Sequence, residues 1–206
     1  MAHLARADDD RPGSAVGFAV KSGWAVTVLL IGSRACPRLA GSRRIDLSDL
    51  AIPESRQPYH AGFGTARGHG AELARLVSSV RRFGRRSVRG IVETYGTAAC
   101  PPTAAGLVVG SLIDPKRIAN QHIRIHALEG QLFREVVEQT LTASGLPCSI
   151  WRERDLYGAA ADALGQPESQ VRSTVAALGR GIDGPWRAEQ KAAAVAAWLV
   201  LAARRG

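Results

Sequence analysis

Apolar positions along this chain follow two different periods, and the switches between them mark its elements. Residues 15–20 and 24–31 are nearly unbroken apolar runs separated by Lys21-Ser22-Gly23, which predicts a hairpin closed on a glycine turn. Residues 42–49 alternate through Arg44, Ile45, Asp46 and Leu47 and predict a third, half-exposed strand. Over residues 71–88 the period lengthens: Leu73, Leu76, Val77 and Val80 form the stripe of an amphipathic helix, weakened by Gly84. Residues 104–113 are continuously apolar, as a central strand covered on both faces would be, and Asp114-Pro115 ends the run. A long helix is expected over 120–144 with Gly145 just beyond it, then a short strand over 147–151. Three helices over 154–164, 168–178 and 186–203 follow, the last apolar nearly all round in the manner of a buried helix.

Between these elements lie polar stretches. Residues 1–14 carry Asp8-Asp9-Asp10, Pro12 and Gly13 and predict a disordered leader ahead of a single domain over 15–206. Residues 51–70 form a long loop with Pro53, Pro58 and four glycines, a length associated with function or mobility. His60 and His69 flank its glycine-rich part and either close over a site or, as free loop histidines usually do, serve nothing specific. Residues 93–102 predict a second loop.

Composition narrows the class. With 206 residues, 46% apolar and 22% charged, the chain suits one globular domain, and its 5% aromatics leave the core to Ala, Val, Leu and Ile. The formal net charge of +9 points to polyanionic partners, nucleic acid first. Of 27 basic residues only Lys21, Lys116 and Lys191 are lysines, so the cations are overwhelmingly arginine. Cys36, Cys100 and Cys148 are odd in number and far apart, which excludes a disulfide framework or a cysteine zinc site and suits a reducing cytoplasm. No apolar run is long enough to cross a bilayer, so no membrane partner is expected. Neither a phosphate-loop motif nor a nucleophile elbow occurs.

The densest chemistry is in His122-Ile-Arg-Ile-His126-Ala-Leu-Glu129-Gly130. Spacings of four and seven stack His122, His126 and Glu129 on one side of a helix. Such a group reads as a metal site, as an anion or nucleic-acid site, or as a purely structural polar cluster. Lys21, Asp114 and Glu189 are expected to meet it at one end of the sheet, with Ser22 and Arg124 as further phosphate contacts. Arg75, Arg82, Arg86 and Arg89 share a face of the first helix, with Arg81 and Arg85 beside them, and Phe83 is the only aromatic in that run. That predicts backbone phosphate contacts rather than base stacking, unless the face is simply solvated.

The order β-β-β-α-β-α-β-α-α-α resembles the ribonuclease-H-like superfamily, and within it the bacterial Holliday-junction resolvases. Gly17-Phe18-Ala19 with Ser22-Gly23-Trp24-Ala25-Val26 is similar to their first hairpin, His126-Ala127-Leu128-Glu129-Gly130 to a glycine motif on the helix after the fourth strand, and residues 170–203 to the two closing helices. The resemblance implies an α/β fold with a mixed five-stranded sheet and helices on both faces. It also implies carboxylates on the first strand, at the end of the fourth strand and at the start of the last helix, holding two divalent metals. This chain departs from that set. Gly17-Phe18-Ala19-Val20-Lys21 has no acid, Gly110-Ser111 has none, Asp114 comes later, and Glu189 is alone on the last helix.

Three functional readings follow. One is a resolvase-related protein that binds or processes nucleic acid with its metal site lost or rebuilt. The second is an active metal-dependent nuclease or phosphohydrolase using Asp114, His122, His126, Glu129 and Glu189, with magnesium or manganese ahead of zinc. The third is a non-catalytic module that forms a homodimer through its apolar last helix.

Overall fold

The hairpin forms where the sequence places its turn. Strands β1 (Gly13–Lys21) and β2 (Trp24–Gly32) pair antiparallel, with Lys21 opposite Trp24. Ser22 and Gly23 connect them, and Gly23 has φ 84°, a conformation that L side chains rarely adopt. This is a computed structural model, and it describes residues 13–62, 65–180 and 182–203. β3 (Pro37–Asp46) pairs antiparallel with β2 and starts five residues before its alternating stretch. Its register shifts between Leu29 and Leu30, leaving Ala40 as the extra residue of a bulge.

The remaining elements run β4 (His60–Gly62), β5 (Thr65–Ala66), α1 (Ala71–Gly96), β6 (Ala105–Val109), α2 (Gln121–Ala143), β7 (Cys148–Arg152), α3 (Leu156–Leu164), α4 (Glu168–Leu178) and α5 (Ala188–Ala203). Five strands make one mixed sheet in the order β3-β2-β1-β6-β7, with β6 parallel to both neighbours. β4 and β5 form a separate two-stranded ribbon inside the long loop. The expected α/β architecture with helices on both faces is what the chain adopts.

Alternation along the central strands assigns the faces. Val16, Phe18, Val20, Leu107 and Val109 pack with Val80, Val88, Phe133 and Val137 of α1 and α2. Ala19, Val26, Val28 and Val108 pack on the opposite side with α3, α4 and α5. α5 lies unusually close to the sheet. A Cβ on Gly17 would stand 1.8 Å from the carbonyl oxygen of Ala193, and one on Gly106 would stand 2.5 Å from that of Ala196. Glycine in the two central strands and alanine on the helix are therefore one packing solution. Every residue of α5 from Ala192 to Leu201 is buried. Its apolar surface is consumed within the chain, which corrects the expectation that this helix forms a dimer face.

Three boundaries differ from expectation for physical reasons. α1 continues to Gly96 because Val88, Ile91 and Tyr95 extend its buried stripe. The helix runs through Gly84, where a Cβ would meet Val136 Cγ1 at 2.7 Å, so the glycine is where α2 approaches. β6 ends at Val109, and the apolar run continues into exposed Leu112 and Ile113 outside the sheet. Gly13 and Ser14 belong to β1, and Ser14 is buried. The rest of the expected leader, residues 1–12, lies outside the described residues. No described helix is long and apolar enough to cross a membrane.

Candidate functional site

At the carboxyl ends of β1 and β6 the sheet opens into a cavity of about 330 Å³. Its polar lining is Lys21, Ser22, Ser111, His126, Gln131 and Arg134, with Ile113, Ile118 and Ile123 on the apolar side and no carboxylate. The Lys21 ammonium is already engaged, donating to Glu153 Oε2 at 2.8 Å just beyond β7. Asp114 is exposed and turned to its own backbone, where Oδ1 accepts from the Lys116 amide at 3.0 Å. Glu189 sits half-buried in the first turn of α5 and does not line the cavity. The six residues expected to converge thus do so only in part: Lys21 and His126 share the cavity, while Asp114 and Glu189 stand apart from it.

α2 builds the second part of the site. Asn120 caps the helix by accepting from the Ile123 amide at 3.1 Å. Arg124 folds back over the same turn and donates to the carbonyls of Ile118 and Ala119 at 2.9 and 3.0 Å. This residue, expected to contact phosphate, braces the helix start. His122 and His126 are exposed one turn apart, with their Nε2 atoms 3.3 Å from each other. Glu129 points inward and is fully buried.

The partner of Glu129 comes from the long loop. Nδ1 of His60, on β4, lies 2.8 Å from Glu129 Oε1. Oε2 of Glu129 is buried without a hydrogen-bond partner and lies 4.0 Å from Nδ1 of His126. Burial raises the Glu129 pKa, while the contact with His60 and the Tyr59 backbone amide pull it the other way. His126 is lowered, first by desolvation and then by His60 and His122 beside it. Ring centroids of His60 and His126 are 4.8 Å apart, and those of His122 and His126 are 4.6 Å apart. One ligand atom from each of the three histidines lies within 4.8 Å of the others.

Arg67 holds the loop that delivers His60. Its guanidinium donates to the carbonyls of Pro58 at 3.0 Å and His60 at 2.9 Å, and it also pairs with Glu72. Its backbone amide donates to Tyr59 at 2.7 Å. Sequence reasoning put His60 near a site but gave it no partner. The contact spans 69 residues, and nothing in the local pattern of a glycine-rich loop reports it.

The basic face lies elsewhere, along α1. Arg81, Arg82, Arg85, Arg86 and Arg89 line a shallow groove together with Ser78, Gly90 and Glu93. All five arginines are exposed, and Glu93 is the one acid in the lining. Arg75 shares the helix but does not line the groove.

No family model matches this sequence, and neither does any curated protein. Solved structures do. Thermus thermophilus RuvC in complex with Holliday junction substrate aligns with a TM-score of 0.54, covering 91% of both chains at 11% identity. A second structure of Thermus thermophilus RuvC gives a TM-score of 0.51, covering 90% of this chain and 92% of that one at 11% identity. This chain has the ribonuclease-H-like fold.

The ribonuclease-H-like fold carries an expectation of two divalent metals between carboxylates at the carboxyl edge of the sheet. The residues here do not fit it. A pair of hard cations needs several carboxylate oxygens, and the cavity at that edge offers a lysine, an arginine and a histidine. The rest of its lining is mostly apolar, and the Lys21 charge is already met by Glu153. The histidine cluster adjoins this cavity through His126 and also faces a second hollow, where Glu54, Arg56, Gln57 and Arg67 join the three histidines.

Proposed function

We propose that this chain binds nucleic acid through its sugar–phosphate backbone, using a ribonuclease-H-like scaffold from which the carboxylate two-metal centre has been lost. The observation that carries the reading is the groove along α1, where five exposed arginines are accompanied by one acid. Guanidinium groups bind phosphate in bidentate fashion and read no base from such a surface, so affinity falls steeply with salt and depends weakly on sequence. The formal net charge of +9 acts in the same direction at longer range. In the largely apolar cavity at the sheet edge, Ser22 and Arg134 are the donors a second phosphate would meet. RuvC, whose fold this chain shares, has been captured with a Holliday junction, which makes branched DNA the first substrate to test.

Fluorescence anisotropy with a labelled four-way junction and a labelled linear duplex, each titrated across salt, tests the proposal. Binding of both with a steep negative slope of log affinity against log salt supports it. A flat salt dependence, or no binding at low salt, ends it. Magnesium-dependent cleavage of the junction would show that binding is accompanied by chemistry and would overturn the loss of the metal centre.

A further inference from the structure

The histidine cluster has a feature that nucleic-acid binding does not use. His60, His122 and His126 come from two separate elements, and a single buried carboxylate stands behind two of them. Nδ1 of His60 and Nδ1 of His126 are the atoms turned toward Glu129, at 2.8 and 4.0 Å from its two oxygens. That leaves the Nε2 edges facing away from the carboxylate, and those of His122 and His126 are 3.3 Å apart. Two nitrogens bound to one tetrahedral ion at about 2.0–2.1 Å are separated by roughly 3.3 Å, so these two are already at the spacing of neighbouring ligands.

We propose that His60, His122 and His126 hold one zinc-class divalent ion through their ring nitrogens, with Glu129 as the carboxylate that orients the rings and the fourth coordination position left open. Imidazole donors select first-row ions such as zinc or cobalt over magnesium, which requires oxygen ligands. Metal-ligating histidines almost always donate their second ring N–H to a carboxylate or carbonyl, and a buried Glu129 whose Oε2 lacks a partner is placed for that role. All three histidines line the hollow that also holds Glu54 and Arg56, so water or another small ligand can reach an ion held there. Three protein ligands with one free position is the arrangement of reactive rather than closed structural zinc sites. Two elements supply the ligands, so the ion also ties the long loop to α2.

The test uses the full chain without a histidine tag, stripped with chelator and free of nucleic acid. Cobalt(II) is titrated into it and followed by visible absorption, and zinc(II) is then added in competition. The expected result is one cobalt per chain, intense absorption typical of low coordination number, displacement by zinc and no response to magnesium. His122→Ala and His126→Ala change exposed side chains and keep the fold, as circular dichroism will show, yet each abolishes the absorption. Glu129→Gln acts on a positioning residue and weakens binding by about 10–100-fold without changing the stoichiometry. Cobalt binding that is unchanged in both histidine variants overturns the proposal, as does the absence of saturable binding below millimolar metal. DNA binding measured in chelator is a separate experiment, so failure of the metal site leaves the arginine-groove reading standing.

Discussion

Oε1 of Glu129 lies 2.8 Å from Nδ1 of His60, and the carboxylate is shut off from water while the imidazole is 12% exposed. A buried carboxylate depends on its hydrogen-bond partners far more than an exposed one does. His60→Ala should therefore destabilise the chain by about 1–3 kcal/mol, the cost of a buried polar group left unsatisfied. Adding Glu129→Gln to that variant should cost less than the same change in the parent, because the pair has already been broken. Urea midpoints of the four proteins check this, and strictly additive losses would refute it.

Close approach of α5 to the sheet makes a sharp contrast between glycines. Gly17→Ala drives a methyl to 1.8 Å from a helix carbonyl, a backbone atom that cannot rotate away. Loss of stability beyond the about 1–3 kcal/mol of ordinary overpacking is expected, with poor yield of folded protein. Gly90→Ala, in an exposed turn of α1 with open space around it, should instead stabilise by roughly 0.5–1 kcal/mol through helix propensity. Thermal melts of the two variants are expected to shift in opposite directions.

The groove predicts which arginines matter for DNA. Arg82→Ala and Arg86→Ala each remove a phosphate contact, so each should lower the slope of log affinity against log salt by about 1. Arg75→Ala should leave the slope nearly unchanged, since Arg75 lies outside the groove. Equal effects at all three positions would mean that total charge, and not this surface, drives binding.

Cysteine reactivity offers an independent check on packing. Desolvation, and to a lesser extent Glu138, push the Cys148 thiol up to about 12, so almost none of it is thiolate at pH 8. Cys36 is exposed. In folded protein, iodoacetamide should label Cys36 well before Cys148, with the difference vanishing in denaturant, as peptide mass mapping will show.

The architecture could be read from sequence because its signals are local. Two apolar runs around Lys21-Ser22-Gly23 mark a hairpin, and the continuous apolarity of 104–113 marks a strand covered on both sides, of which 105–109 form β6. The long helix expected over 120–144 forms as α2, with Asn120 as its cap. The site was harder because its decisive contacts are distant. His122 and His126 were found by spacing within one helix, whereas His60 belongs with them only through folding of a loop that has no periodic pattern. Glu129 was expected beside the two imidazoles and does lie on their side of α2, but it is buried because the loop bearing Tyr59 and His60 folds over it, a contact that helical spacing does not report. Apolar Leu112 and Ile113 misled in the other direction, since hydrophobicity alone does not distinguish the end of a strand from an exposed loop.

α5 follows in sequence every strand that it covers. Ala19, Val26, Val28 and Val108 stay bare on one side until residues 188–203 have been synthesised and can fold back across them. A growing chain therefore carries a sticky, half-finished sheet until α5 has emerged, a state in which nascent proteins call on chaperones. The final closing step zips a glycine-lined trough against an alanine rod, a fit that rejects any other helix with bulkier side chains at those points.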